Sequence, residues 1–412
     1  MSAKVKYLSL LSVFLGGFSA IGWELLWQLK ASLAIGVSAK ATAEIIAATM
    51  GGMTAGTIVS GLLLRSRRVS PYLLYALLEL SIGAVGLLLG AEFDLVKSAD
   101  QALYRAHPYS TSAPHLLLIA AVIGPPAMAM GASVPVFGLI AKPAKSTISL
   151  LYGLNTLGAC IGVLTAGFLV LPAAGIAGAS YVFAAGNAAA SLGMFALWRS
   201  AGGGQVSEEH KSPAVAVVWR DHAAVFLSGF AIFALEVAWF RALRAAFLST
   251  SQSFAIMLAA VLLALAIGAH VADDKRGGPR EIEFILVFAV IAIALTTPIL
   301  ERMDIFSRYA LVSIHLARFL TALACIAPVA AVLSVIFPML LEKQRSTVEW
   351  ALLHSSNTAG AFAGALGAAW FFLPHWGILG TMCVVAGILL IAVPIFGARA
   401  IRSWKTYAAV VA

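Results

Sequence analysis

Charge is what this sequence has least of. Of 412 residues only 11% are Asp, Glu, Lys or Arg, while 61% are apolar and the mean hydropathy is +0.96. That balance excludes the water-soluble globular classes and the disordered ones. Cysteine is almost missing as well. Cys160, Cys325 and Cys383 fall singly on different predicted helices, with no CxxC and no histidine at ligand spacing. A disulfide scaffold and a zinc site are thereby excluded, and the three read as small packing residues. Short alternating strands are absent, which excludes a membrane β-barrel. With no ATP-binding motif and no nucleophile set beside a base, neither ATP-driven pumping nor membrane-embedded catalysis is expected, and no cofactor or metal.

What the sequence has in abundance is apolar runs of about 20 residues, the length that crosses roughly 30 Å of hydrocarbon as helix. Twelve are predicted, at about 8–35, 41–64, 71–91, 115–140, 148–172, 175–198, 222–247, 251–272, 281–300, 311–341, 349–373 and 375–397. The net charge of +9 raises the question of a nucleic-acid partner, and the position of the charges answers it. With loops assigned alternately to two sides, 18 Lys and Arg fall on the side of the N-terminus, six on the other and three within predicted helices. This is the positive-inside bias. It places both termini in the cytoplasm and needs no nucleic acid to explain the excess. The first 20 residues have the basic end and apolar run of a signal peptide, but an internal copy in mid-chain reads them as a transmembrane helix.

That copy belongs to a repeat. "GFSAIGWELLW" at 17–27 and the start of "GFAIFALEVAWFR" at 229–241 superimpose at an offset of 212, pairing Gly17 with Gly229, Glu24 with Glu236 and Trp27 with Trp239. At an offset of 203, Pro125 pairs with Pro328 and Pro135 with Pro338; at 202, "NTLGACIGVLTAGFLVLPAAGIAG" (155–178) matches "NTAGAFAGALGAAWFFLPHWGILG" (357–380). Six helices per half keep both halves in one orientation, a parallel repeat about an axis along the membrane normal, as in the major facilitator superfamily. The expected fold is therefore all-α and polytopic: twelve transmembrane helices in two parallel six-helix repeats, 1–198 and 222–412. A Gly-, Ser- and charge-rich cytoplasmic linker at 199–221 joins them. The only other long connection is 92–114. The GxxxG pairs Gly52/Gly56, Gly158/Gly162 and Gly360/Gly364 mark close helix approach, either at the seam between the halves or as general packing.

"GFSAIGWELLW", "GFAIFALEVAWFR" and "LYGLNTLGACIGVLTAGFLVLP" resemble the membrane domain of the bacterial fused major-facilitator and spermidine-synthase proteins, over essentially the whole chain. The resemblance implies a bacterial inner-membrane location and association with a soluble synthase-like enzyme. In those fusions an aminopropyltransferase-like domain with a glycine-rich nucleotide loop follows the membrane part. This sequence reaches Ala412 just past its last predicted helix without such a loop, so synthase chemistry is not expected of it. "GAHVADDKRGGPR" (268–280) resembles the loop between the second and third helices of major facilitator halves.

Glu24 and Glu236 lead the candidate site. A carboxyl at membrane depth costs at least a few kcal/mol unless it faces a cavity or a partner. Trp27 and Trp239, three residues on, are read as sharing that face. Each half then gives one acid and one indole to a central pocket suited to an organic cation, through charge and cation–π attraction. The alternative is that each Glu is protonated or paired with Arg and only locks helices together. Arg241 and Arg244 on the seventh helix and Arg318 on the tenth either neutralise the acids or hold a substrate carboxylate or phosphate, which keeps a zwitterion open. Asn155 and Asn357 either hydrogen-bond across the seam or contact substrate. Glu44, near a helix end, and Glu79, without a repeat partner, read as less central; His270 and His354 read as structural or as proton relays.

The expected activity is secondary transport of a small charged organic solute, a polyamine or related amine or zwitterion, by alternating access across the bilayer. The alternative is a non-catalytic membrane partner or scaffold of a spermidine-synthase-like enzyme.

Overall fold

A chain in lipid must satisfy its own backbone hydrogen bonds, and helices do so within one segment. In the computed structural model, which describes residues 2–35, 39–66, 70–106, 112–141, 143–200, 218–247, 251–272, 277–303, 305 and 313–396, the described residues are almost wholly helical, with no strand among them. Most of the 199–221 linker and residues 273–276 of the 268–280 loop lie outside the described residues.

Helices α1 (Ser2–Ile35) and α2 (Ala39–Ser66) lead to α3 (Pro71–Gly86), which opens on a proline where the first turn needs no N–H. α3 turns by 57° into α4 (Leu89–Ala106). The sequence reading gave 92–114 as a loop, and α4 corrects it. Its charges suppress the apolar signal, yet it is amphipathic: Phe93 and Val96 are buried while Asp94 and Lys97 face out. Asp100 meets His115 at 2.5 Å, tying α4 to the start of α5 (Ser112–Ala141).

α6 (Ile148–Thr165) runs through a π-helical turn, Ala166–Val170, into α7 (Leu171–Ser200). After α8 (Trp219–Phe247), α9 (Ser251–Ala272), α10 (Pro279–Glu301), α11 (Ile314–Ser334) and α12 (Ile336–Leu341), the pattern recurs. α13 (Thr347–Gly367) passes through the π turn Ala368–Phe372 into α14 (Leu373–Phe396). The stretch Ile148–Ser200 holds 53 residues, about 80 Å if straight, far longer than a bilayer is thick. It breaks at Gly175 (φ 64°, ψ −169°), and its counterpart breaks at Gly377 (φ 65°, ψ −165°), a conformation only glycine adopts without strain. Pro172 and Pro374 lack the N–H that would continue the ladder, and the π turns just before them absorb the mismatch. The repeated "LPxxG" is thus a hairpin between successive spans. Cut at these glycines, the described residues give eleven helices long and apolar enough to cross a bilayer, and twelve spans where α3 and α4 are counted together as one bent pair.

Across the seam between the halves, α2 lies on α13 and α6 on α9. The GxxxG glycines do not make this seam. A Cβ at Gly158 or Gly162 would fall on the carbonyl oxygens of Phe14 and Phe18 in α1, and one at Gly360 or Gly364 on those of Phe226 and Phe230 in α8. Gly52 and Gly56 press on α5 in the same way. Each pair joins helices inside one half, because spacing puts two glycines on one face without saying which neighbour that face meets. The seam's own close approaches include Gly61 against Ala351, Gly138 against Trp350 and Gly167 against Ala255.

Candidate functional site

Between the halves lies a cavity of about 170 Å³, and most of its walls are repeat counterparts. Gly17, Ala20 and Ile21 of α1 answer to Gly229, Ile232 and Phe233 of α8; Met50 and Met53 of α2 answer to Leu262 and Leu265 of α9, both sets at the offset of 212. Tyr152, Asn155 and Thr156 of α6 answer to His354, Asn357 and Thr358 of α13 at 202. The cavity therefore sits on the axis that relates the halves. Contacts between the halves bracket it. On the N-terminal side the Ser149 amide donates to Glu342 at 2.6 Å, and on the opposite side the Phe168 and His315 rings meet at 5.4 Å.

Glu24, 6% exposed, lines the cavity, as do Asn155 and Asn357. Asn155 of α6 sits at a close approach to α1 and Asn357 of α13 at a close approach to α8, since a Cβ at Gly17 or Gly229 would fall on their backbone carbonyl oxygens. Glu236 is 2% exposed and is not part of the lining; it lies behind the wall, within electrostatic range of Glu24. The repeat is thus faithful in backbone and asymmetric in access. Trp27 and Trp239 are buried in helix packing outside the cavity. The cavity face of α1 ends at Glu24, and the next turn carries Trp27 past its end. Trp239 Nε1 has no hydrogen-bond partner among the described residues.

The three arginines are elsewhere. Arg241 is exposed, the Arg244 guanidinium lies 5.3 Å from the Phe240 ring centre, and that of Arg318 lies 5.4 Å from the Phe247 ring centre. None lines the cavity, and no lysine or arginine is among its described walls. Long basic side chains near a helix end reach toward the interface, and the sequence position alone does not reveal that direction.

Glu79, set aside in the sequence for want of a repeat partner, is a wall of the cavity, 3% exposed. Asn187 Nδ2 donates to it at 2.7 Å, and the other end of that amide accepts the Trp23 indole N–H at 2.8 Å. The signal that would have found this network is two polar residues, Glu79 and Asn187, each deep within an apolar span. His354 is also a cavity residue, its Nδ1 2.8 Å from Thr57 Oγ1 across the seam, beside the Thr54 to Thr358 hydroxyl bond of 2.7 Å. Phe337 packs against both members of the repeat pair Tyr152 and His354, at 5.1 and 5.5 Å.

No protein-family model and no curated protein matches the chain. Among solved structures it is similar to the crystal structure of the human organic anion transporter MFSD10 (TETRAN), with a TM-score of 0.58 and 14% identity over 96% of this chain and 99% of that one. The fold is therefore the major-facilitator-like fold expected from the repeat. The resemblance to the fused synthase family rests on the sequence motifs alone.

Proposed function

We propose that this chain is a secondary transporter of small organic cations, amines of the polyamine kind, and that Glu24 holds the charge of the cargo. The observation that carries the reading is the make-up of the central cavity: among the described residues, Glu24 and Glu79 line it and no lysine or arginine does. An ammonium entering it exchanges water for a carboxylate, the Asn155 and Asn357 amides and the hydroxyls of Thr49 and Thr156. In a low-dielectric site that attraction is far stronger than in water. An organic anion there would meet like charge and no fixed cation. Ile21, Met50, Met53 and Ile232 offer an apolar wall for methylene stems.

The similar structure of MFSD10 is that of an organic anion transporter; the fold is common ground, while ligand charge follows from the side chains grafted on it. In this reading the halves 1–198 and 222–412 rock about the central site, with linker and termini on the cytoplasmic side of a bacterial inner membrane. A synthase-like partner has no part in the cycle.

Equilibrium binding of radiolabelled putrescine to the purified protein tests the reading. Saturable binding is expected, weaker by roughly 10- to 100-fold in Glu24→Gln, the worth of one charge-assisted contact. Equal affinity in the two proteins would contradict it.

A further inference from the structure

Glu79 differs from Glu24 in having a set of partners around it. Asn187 donates Nδ2 to its Oε2, and Asn187 Oδ1 accepts Trp23 Nε1. An indole N–H only donates, so the amide is held with its oxygen toward Trp23 and its nitrogen toward Glu79. Tyr75, one turn earlier on α3, sets its hydroxyl beside the same carboxyl, since a Cβ built on Gly16 would meet both the hydroxyl and Glu79 Oε1, and that hydroxyl makes no hydrogen bond among the described residues. Gly16 of α1 leaves the room for this, since a Cβ there would fall on the Tyr75 hydroxyl.

This set suits both charge states of an acid. Oε2 accepts from Asn187 whether the acid is ionised or neutral. A phenol hydroxyl turns: it donates to an ionised carboxylate and accepts from a protonated one. A small turn of the Tyr75 hydroxyl onto the carboxyl would give either state its partners, and no fixed cation is needed. A carboxyl meant for permanent charge at this depth calls instead for an Arg or Lys beside it.

The titratable groups that face it from the packed helices are few. α3 packs on α1, α5 and α7. α1 brings Trp23 and, in the same cavity, Glu24; α7 brings Asn187; α5 brings Phe137 against Tyr75 and no titratable residue to the cavity wall. Across the cavity stand Tyr152 and His354. The network belongs to the first half only, because the counterparts of Trp23 and Asn187 are Leu235 and Leu389.

We propose that Glu79 is a proton-binding site distinct from the cargo site at Glu24: its carboxylate takes a proton from water in the cavity when the cavity faces one side and returns it when the cavity faces the other. What the proton drives rests on the transporter reading; the existence of the site does not.

Infrared difference spectra of the purified protein in lipid, recorded across a pH series, read the C=O stretch of protonated buried carboxyls directly. A band is expected that grows as pH falls, persists in Glu24→Gln and is missing in Glu79→Gln. The Gln amide reproduces the hydrogen bonds of the protonated acid, accepting from Asn187 and donating to Tyr75, which favours a folded variant. Tyr75→Phe supplies a second readout: it removes a donor to the ionised form, so the same band should persist to higher pH. Spectra of wild type and Glu79→Gln that superimpose at every pH, or a titration unmoved by Tyr75→Phe, would overturn the site. In proteoliposomes, putrescine accumulation driven by a pH gradient should fall to the equilibrium level in Glu79→Gln, and accumulation equal to wild type would overturn the coupling. If the wild-type protein neither binds nor moves putrescine, the transport reading falls while the spectra still decide the proton site.

Discussion

Two acids at matching repeat positions have come to occupy different environments. Glu24 and Glu236 share their helix register, yet one lines the cavity and the other is sealed behind it. A residue in contact with cargo alters uptake when neutralised, whereas a sealed one alters packing. Glu236→Gln should therefore change initial putrescine uptake by less than about 3-fold, with its effect appearing as a shift in thermal stability of roughly 1–3 kcal/mol, the range for a buried polar group. Loss of uptake without any change in stability would place Glu236 in the site after all. At this scale the sequence was a partial guide. Repetition pointed to Asn155 and Asn357, which line the cavity from both halves, and to Glu24, which lines it although its counterpart Glu236 does not. Glu79 was not legible, because the same filter discards a residue that only one half uses. Trp27 and Trp239 repeat for packing, which repetition does not separate from binding.

The elements show how the two halves meet and part. Helix α6 leaves its first N–H groups without intrahelical partners, and Glu342 of the other half accepts one of them at Ser149, where the helix dipole favours a negative charge. Thr147 accepts the Leu150 N–H in cis. In the second half the equivalent helix start is capped wholly within its own half, by Ser346 and Glu349. One cap crosses the seam and the other does not, so the Glu342 contact ties the two halves together on the N-terminal side of the cavity. In a background lacking Cys160, Cys325 and Cys383, Glu342→Ala should speed maleimide labelling of a cysteine placed at Tyr152, applied from the N-terminal side. About 5- to 10-fold is expected for the loss of one charge-assisted cap, and unchanged labelling would rule that tie out. Helix boundaries were legible wherever apolar runs were bounded by proline or glycine. The partners of the GxxxG faces and the helical nature of α4 were not, since both depend on neighbours distant in the sequence.

The whole molecule follows from the parallel repeat. In the proposed topology an even number of crossings per half returns each half to the side where it began, a side that the 18 to six division of basic residues would place in the cytoplasm. Cysteines introduced at Ser207 and Ser403, which lie outside the described residues, should react with a membrane-impermeant maleimide only after the cells are opened. Reaction of either in intact cells would reverse or break the topology.

The measurement that bears most directly on the charge of the cargo is uptake into proteoliposomes of putrescine against glutarate, a dianion of similar length, by wild-type protein and by Glu24→Gln. A cavity whose described walls hold carboxyls and no fixed cation predicts saturable putrescine uptake that excess glutarate does not inhibit, and its fall by at least roughly 10-fold in Glu24→Gln. Saturable glutarate uptake that survives Glu24→Gln would contradict it.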